Sequence, residues 1–283
     1  MNKLSTAKRA AVVRCLVEGV SMRATARMTG VARQTINDLL VDLGRACDTY
    51  QDRVLRNLKC RRIECDEIWS FIRMKEKNVP APMRGTLGFG DVWCWTAIDA
   101  DTKLVPTWSV ADRSAPAAHA FMRDLASRLS GRVQLTTDGL KHYLVAVDLA
   151  FGTDVDFAQL VKQYGPDANA EQVRYSPARC LGAAKHVVCG DPHLALISTS
   201  YVERANLTMR MGMRRFTRLT NAHSKKLENH QAAIALHFMH YNFARINQAL
   251  RVTPAMAAGV TDHLWEVEEI VGLLDEESES KAA

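Results

Sequence analysis

The sequence predicts an α/β fold, a mixed sheet flanked by helices, preceded by an all-helical N-terminal domain. Three observations predict it. Up to Leu40 the apolar residues recur at helical spacing, and strand signals begin only at Arg61. Three β-branched and aromatic runs then follow in close succession, RRIECDEIWSFI, DVWCWTAIDA and KLVPTWSVA. Beyond them helical and strand patterns alternate before a helical stretch from Ser200 to about Leu250.

The first helix runs from Thr6 to Glu18, with Ala10, Val13, Leu16 and Val17 at helical spacing and Gly19 where a helix would stop. The stretch SMRATARMTGVARQTINDLL reads as two short helices joined at Gly30. The small Ala26 permits a close crossing, Gly30 permits the sharp turn, and Ile36 anchors the second helix. This is a helix-turn-helix pattern. Arg33, Gln34, Thr35, Asn37 and Asp38 fall on or near its outward face, with side chains suited to base edges and phosphates. A plain three-helix bundle that contacts protein shares the pattern. Residues 1–47 are therefore the candidate DNA-binding domain and residues 48–60 a connecting helix or linker.

Residues 61–250 form the second domain. Strand one ends at Ile72 and is followed by the Lys-, Pro- and Gly-rich loop KEKNVPAPMRGTLGFG. Strands two and three are joined by the turn from Asp99 to Thr102. A helix from Pro116 to Leu129, a strand from Arg132 to Thr137, a helix marked by Tyr143, Val147 and Phe151, and a strand from Asp156 to Tyr164 complete the pattern. Residues 165–196 lack a clear period and read as an insertion or long loop. The order of elements matches the ribonuclease-H-like fold.

Charge is unevenly spread. Up to Arg62 there are 13 Lys/Arg against 5 Asp/Glu, and from Arg204 to Arg251 there are 9 against Glu228 alone. Residues 251–283 form an acidic C-terminal tail. Two basic blocks beside a near-neutral middle fit a polyanionic partner. Seven cysteines, an odd number without a CxxC pair, speak against a disulfide framework and for a reducing cytoplasm. There is no signal-peptide pattern and no apolar run long enough to span a membrane.

Three carboxylates stand on separate elements. Asp66 lies inside the first strand, where Glu64 and Asp66 share one face and Glu67 the other. Asp138 directly follows a strand, and Glu203 opens a helix. Convergence of three such groups would hold divalent metal for phosphoryl transfer. Each also has a structural explanation: an exposed strand face for Asp66, an Asp-Gly turn for Asp138, and an S-x-x-E capping box from Ser200 for Glu203. Glu203, Leu207, Arg210 and Arg214 share one helix stripe, which favours a phosphate site. Arg210, Arg214, Arg215, Arg218, Lys225 and Lys226 are the candidate phosphate contacts in this block. Cys180, His186, Cys189 and His193 are near in sequence and are weighed as a zinc set, although their spacing matches no common finger. His237 and His240 read as packing or DNA-contact residues.

The runs CDEIWSF, DVWCWTAIDADTKL, QLTTDG, YVERANLTMRMGMRRFTRLTNAHSKK and YNFARINQALRVTPAMA resemble bacterial insertion-sequence transposases of the DDE type, most closely the IS-one family. The resemblance spans almost the whole chain, and the run from Tyr201 to Lys226 is its most specific part. It implies that Asp66, Asp138 and Glu203 are the catalytic triad and the metal ligands, and that Arg210 is the basic residue two turns after the glutamate. It further implies Mg²⁺, replaceable by Mn²⁺ and bound as two ions, double-stranded DNA of element ends and target as partner, and at least a homodimer. Asn247 departs from the pattern, since comparable motifs often carry histidine there. Two other readings share these residues: a DNA-binding regulator without catalysis, and a metal nuclease without strand transfer.

Overall fold

The computed structural model describes residues 4–165, 180–217 and 221–280. Its first three helices are α1 (Thr6–Val17), α2 (Met22–Thr29) and α3 (Arg33–Val54). Ser5 and Ser21 cap the first two by accepting the backbone N–H three residues on. Gly30 ends α2 in the left-handed region, at φ +68°. Ile36 is fully buried against Val12, Val31 and Leu39, while Arg33, Gln34 and Thr35 are exposed.

The segment expected as a connecting helix or linker begins as the last turns of α3, which end at Val54. Helix α3 continues for 22 residues because Leu40, Leu43, Ala46 and Cys47 extend its apolar stripe into the main core. Its partner there is α7 (Leu227–Met239), and the two helices cross closely at Gly44. A Cβ on Gly44 would lie 2.5 Å from both Cα and Cβ of Ala232, so only glycine permits this approach.

The sheet has the order β3-β2-β1-β4-β5-β6. Its strands are β1 (Arg62–Ile72), β2 (Gly90–Asp99), β3 (Trp108–Ala111), β4 (Val133–Thr137), β5 (Val155–Tyr164) and β6 (Cys180–Cys189). The β1–β2, β2–β3 and β5–β6 pairs are antiparallel, and β1–β4 and β4–β5 are parallel. This is the ribonuclease-H-like mixed sheet expected from the order of elements, with an added edge strand. Strand β3 starts only at Trp108, beyond Pro106, which has no N–H to give a ladder. Strand β6 lies where a long loop was expected. Nearly all its side chains are exposed, so it carries no alternating apolar signal and is held by backbone pairing to β5. Residues 166–179 of that expected loop lie outside the described residues.

Helices α4 (Ala115–Arg128) and α5 (His142–Phe151) cover one face. Phe121, Met122, Tyr143 and Val147 pack there with Ile63, Cys65, Trp95 and Phe157. Helices α6 (Ser200–Gly212) and α7 cover the other, burying Val202, Met209, Ile234 and Phe238 with Ile68, Ile72 and Ile98. Each such side chain contributes about 1.5–3 kcal/mol of transfer free energy.

After the short α8 (Pro254–Ala257), the expected acidic tail is a helix, α9 (Val267–Ser280), docked on α1 and α3. Ile270 and Val271 are fully buried. Glu268, Asp275 and Glu276 pair with Arg14, Arg9 and Arg53 at 2.7, 3.4 and 3.7 Å, so part of the N-terminal basic block is neutralised within the chain. No helix among the described residues is long and apolar enough to cross a membrane.

Candidate metal centre

Strand β1 is central in the sheet, and alternation sends its side chains to both helical layers. Glu64 and Asp66 meet α6, and Glu67 meets Tyr143 of α5, as the strand faces predict. Parallel pairing sets Cys65 opposite Thr137, so Asp138, the residue after β4, emerges beside Asp66. Ligand oxygens of Asp66, Glu67 and Asp138 lie within 4.8 Å of one another. Glu67 therefore joins the cluster even though its strand face is the opposite one.

Three supports hold these carboxylates. Asn206 Nδ2 donates to Asp66 Oδ2 at 2.9 Å. Arg113 donates to Glu67 at 3.0 Å and to Asp138 at 3.3 Å, with its guanidinium 4.8 Å from the Trp93 ring centroid. Gln159 on β5 donates to the backbone oxygen of Asp138 at 2.8 Å and of Leu140 at 3.2 Å, fixing the loop after β4. Asp138 Oδ1 also accepts the Leu140 N–H at 3.0 Å, so its turn role is real and coexists with its place in the cluster.

The cluster is short of positive charge. Burial, and then the negative charge of Asp138, push the Asp66 carboxyl up to about 6 and the Glu67 carboxyl up to about 7. An all-carboxylate donor set crowded to this degree fits a hard divalent cation such as Mg²⁺ or Mn²⁺.

Glu203 approaches from α6 but is held apart. Its carboxylate is paired with Lys162 of β5 and accepts the Thr199 hydroxyl, although its charge still helps raise Asp66. The expected capping box does not form, because Thr199 is the cap residue and Ser200 is already helical. The end of α6 is satisfied instead by Glu64, which accepts the N–H groups of Tyr201 and Val202 at 2.7 and 3.1 Å. Burial raises the Glu64 carboxyl, and these two hydrogen bonds oppose the rise.

The candidate DNA contacts scatter. Arg33, Gln34 and Thr35 are exposed at the start of α3, and Gln34 donates to Asp38 at 2.7 Å. Asn37 is half-buried and accepts from Asn229 of α7. Arg210 is half-buried on α6. Arg214 leaves the helix stripe because α6 ends at Gly212, and it sits exposed on a 3₁₀ turn from Arg214 to Phe216. Arg215 is drawn into a buried chain: it donates to Ser224 Oγ at 2.9 Å, Ser224 lies 2.8 Å from His230 Nδ1, and Ser70 lies 3.1 Å from His230 Nε2. Burial lowers the Arg215 guanidinium to about 10 and His230 to about 3. Lys225 and Lys226 are exposed, with Lys225 beside the His223 ring. Arg218 lies outside the described residues.

The zinc set does not gather. Cys180 and Cys189 stand at opposite ends of β6, about 30 Å apart along an extended strand. His237 packs edge-on against Phe238, and burial lowers it to about 3.

Sequence reading alone misses Glu67, Arg113, Lys162 and Asn206. Only Asn206 leaves a signal there, one helical turn after Glu203 on the same face.

No protein-family model matches the chain, and no curated protein matches it. Among solved structures it is similar to a piggyBac transposase in a synaptic complex with hairpin DNA, at 10% identity and a TM-score of 0.43, covering 97% of this chain and 72% of that one. It is also similar to Mos1 transposase in a paired-end complex with the left transposon end, at 14% identity, TM-score 0.23 and coverages of 56% and 59%. A Mos1 mariner paired-end complex with Mn gives 11% identity, TM-score 0.27 and coverages of 84% and 76%.

Proposed function

We propose that this protein is a DDE transposase that binds the ends of its own element and catalyses DNA strand cleavage and strand transfer. The observation that carries the reading is the convergence of Asp66 and Asp138 from two parallel strands, with Glu203 on a helix anchored to the same strand. The finer assignment, to bacterial insertion-sequence enzymes of the IS-one group, rests on the sequence runs that resemble that family.

Asp66, Asp138 and Glu203 would hold Mg²⁺ or Mn²⁺, as two ions, with Glu67 beside them. When bound, the metal supplies Lewis-acid chemistry at the scissile phosphate. Asn206 fixes the Asp66 carboxylate, Gln159 fixes the Asp138 loop, and Arg113 offsets negative charge in the cluster before metal arrives. Lys162 plays that part for Glu203. Water serves as nucleophile for cleavage and the freed 3′-hydroxyl for joining, so no side chain needs to form a covalent intermediate.

Helices α2 and α3 would present Arg33, Gln34 and Thr35 to double-stranded DNA. Holding two ends together calls for at least a homodimer. A reducing cytoplasm suits Cys47, Cys60, Cys65 and Cys94, which are buried free thiols.

Strand transfer with oligonucleotides carrying the element ends, in Mg²⁺ or Mn²⁺, tests the proposal. Asp66→Asn, Asp138→Asn and Glu203→Gln are each expected to abolish cleavage and leave end binding nearly intact. Near-normal cleavage by any of them removes that residue from the triad, and cleavage without joining would identify a nuclease instead.

A further inference from the structure

Helix α6 has two working faces. Glu203 and Asn206 serve the carboxylate side, while Tyr201, Arg204, Ala205 and Thr208, spaced i, i+3, i+4 and i+7, line the opposite side. This second face forms one wall of a cleft of about 500 Å³. The facing wall is formed by Tyr241 and the residues from Arg245 to Ala249, and Lys103 also lines the cleft. That volume lies within the ~300–1,000 Å³ typical of ligand sites.

The charge lining the cleft is all of one sign. Arg204 and Arg245 both line it, both are exposed, and no acidic residue lines it with them. Arg14, Arg53, Arg62, Arg113, Arg128 and Arg132 all pair with carboxylates. Neither Arg204 nor Arg245 forms an ion pair with a described residue. A third cation is held in place by the backbone. Asp99 accepts the N–H groups of Asp101 and Thr102 at 3.2 and 3.3 Å and the Thr102 hydroxyl at 2.6 Å. The turn so formed holds Lys103 at φ +62°, with its ammonium 3.4 Å from the Tyr201 ring centroid.

The facing wall is equally well built. Helix α7 ends in a π-helical turn, His240–Ala244, from which the Tyr241 hydroxyl donates to the Lys103 carbonyl at 3.0 Å. Asn247 Oδ1 accepts the Ala249 and Leu250 N–H groups at 3.0 and 3.3 Å, folding the loop that carries Arg245 and Ile246. Ile246 is 51% exposed and Tyr201 38%, so the cleft carries apolar surface as well as cations. Duplex backbone needs only a cationic surface. Unpaired bases need apolar or aromatic walls as well, and this cleft offers both.

We propose that the cleft binds a single nucleic-acid strand, its phosphates on Arg204 and Arg245 and its bases against Tyr201 and Ile246. The inference rests on the proposed function only in naming that strand as DNA. Glu203 and Arg204 are adjacent on α6, so a strand in the cleft lies about one helix diameter (~10 Å) from the carboxylates.

Fluorescence anisotropy in EDTA, with labelled oligothymidylate and a hairpin duplex as probes, tests this on the full chain without any chemistry. The double substitution Arg204→Ala/Arg245→Ala is expected to weaken oligothymidylate binding at least tenfold. It should also reduce the slope of log affinity against log salt by about 1.4, two phosphate contacts at ~0.7 each. Duplex binding should change less than twofold, and Arg204→Lys/Arg245→Lys should recover most of the strand affinity. Ile246→Ser, which leaves charge untouched, should weaken strand binding about threefold with no change in salt slope. Wild-type affinity and slope in the double alanine variant would overturn the proposal, as would an equal loss on duplex. Asp66→Asn should bind the strand normally, so a failure of the catalytic reading leaves this measurement standing.

Discussion

Glu64 on β1 and Val202 on α6 are joined by a 3.1 Å hydrogen bond in which the Val202 N–H donates to the buried carboxylate, and the Tyr201 N–H donates to the same oxygen at 2.7 Å. A side chain of the central strand thus caps the helix that carries Glu203. The registration of Glu203 with Asp66 depends on that joint.

Replacing Glu64 by Leu should leave two α6 donors without an acceptor and cost about 1–3 kcal/mol. Melting temperature should fall by roughly 2–4 °C per kcal/mol for a chain of this size. Glu64→Gln retains an acceptor oxygen and should lose less. Thermal melts of both variants, with Mn²⁺ titration of the melting temperature, check the result: Glu64→Leu should need more metal for the same stabilisation.

Asp66 and Glu67 bind their protons more tightly folded, at about 6 and about 7, than the ~3.9 and ~4.3 of unfolded carboxyls. Such groups favour the fold below pH ~4 and lose that contribution as pH rises through 6 to 7. His230 and His237, lowered to about 3, act in the opposite sense below pH ~6.5. Comparison with Asp66→Asn isolates the carboxylates: in EDTA the variant should gain on the wild type between pH 5 and pH 8. At pH 8, Mg²⁺ or Mn²⁺ at a hundred times its Kd should stabilise the wild type by about 2.7 kcal/mol and the variant hardly at all.

Gly44→Ala drives a Cβ to 2.5 Å from Ala232 Cα and Cβ and should cost about 1–3 kcal/mol. Adding Ala232→Gly should recover part of the loss, because the Ala232 Cα and its carbonyl oxygen, 2.7 Å away, still obstruct. Denaturant melts of the two single variants and the double variant would show the coupling.

Helix α9 is anchored by burial more than by charge. Ile270→Asp, which places an unpaired carboxylate in an apolar site, should cost several kcal/mol and open α1 to proteolysis. Glu268→Gln breaks an exposed, solvent-screened pair with Arg14 and should leave stability nearly unchanged. Melts and limited proteolysis separate the two.

The sequence carries what neighbours along the chain determine. Gly30 and Ile36 reveal the turn between α2 and α3 because a left-handed glycine and an apolar anchor at fixed spacing leave a local pattern. Strand β1 announces its two faces by alternation. Long-range partners leave no such mark: α3 runs past Cys47 because α7, nearly 190 residues later, offers Ala232 to Gly44. Strand β6 has no buried face to write into its residues. Asp66 and Asp138 are legible as candidates, but the ion pair of Glu203 with Lys162 depends on the packing of β5, and the entry of Glu67 on Tyr143 of α5 and on Arg113.

Because α3 is one unbroken helix, it acts as a ruler. Its 22 residues span about 33 Å, from the exposed Arg33, past Leu40 where the main core begins, to Val54. On the proposed reading the interval between bound sequence and cut bond is set by helix length, with no hinge to absorb an error. Inserting two residues in its exposed first turns would rotate the reading residues by about 200° as well as advance them, so the phase of cutting relative to the recognised bases is written into the chain by counting.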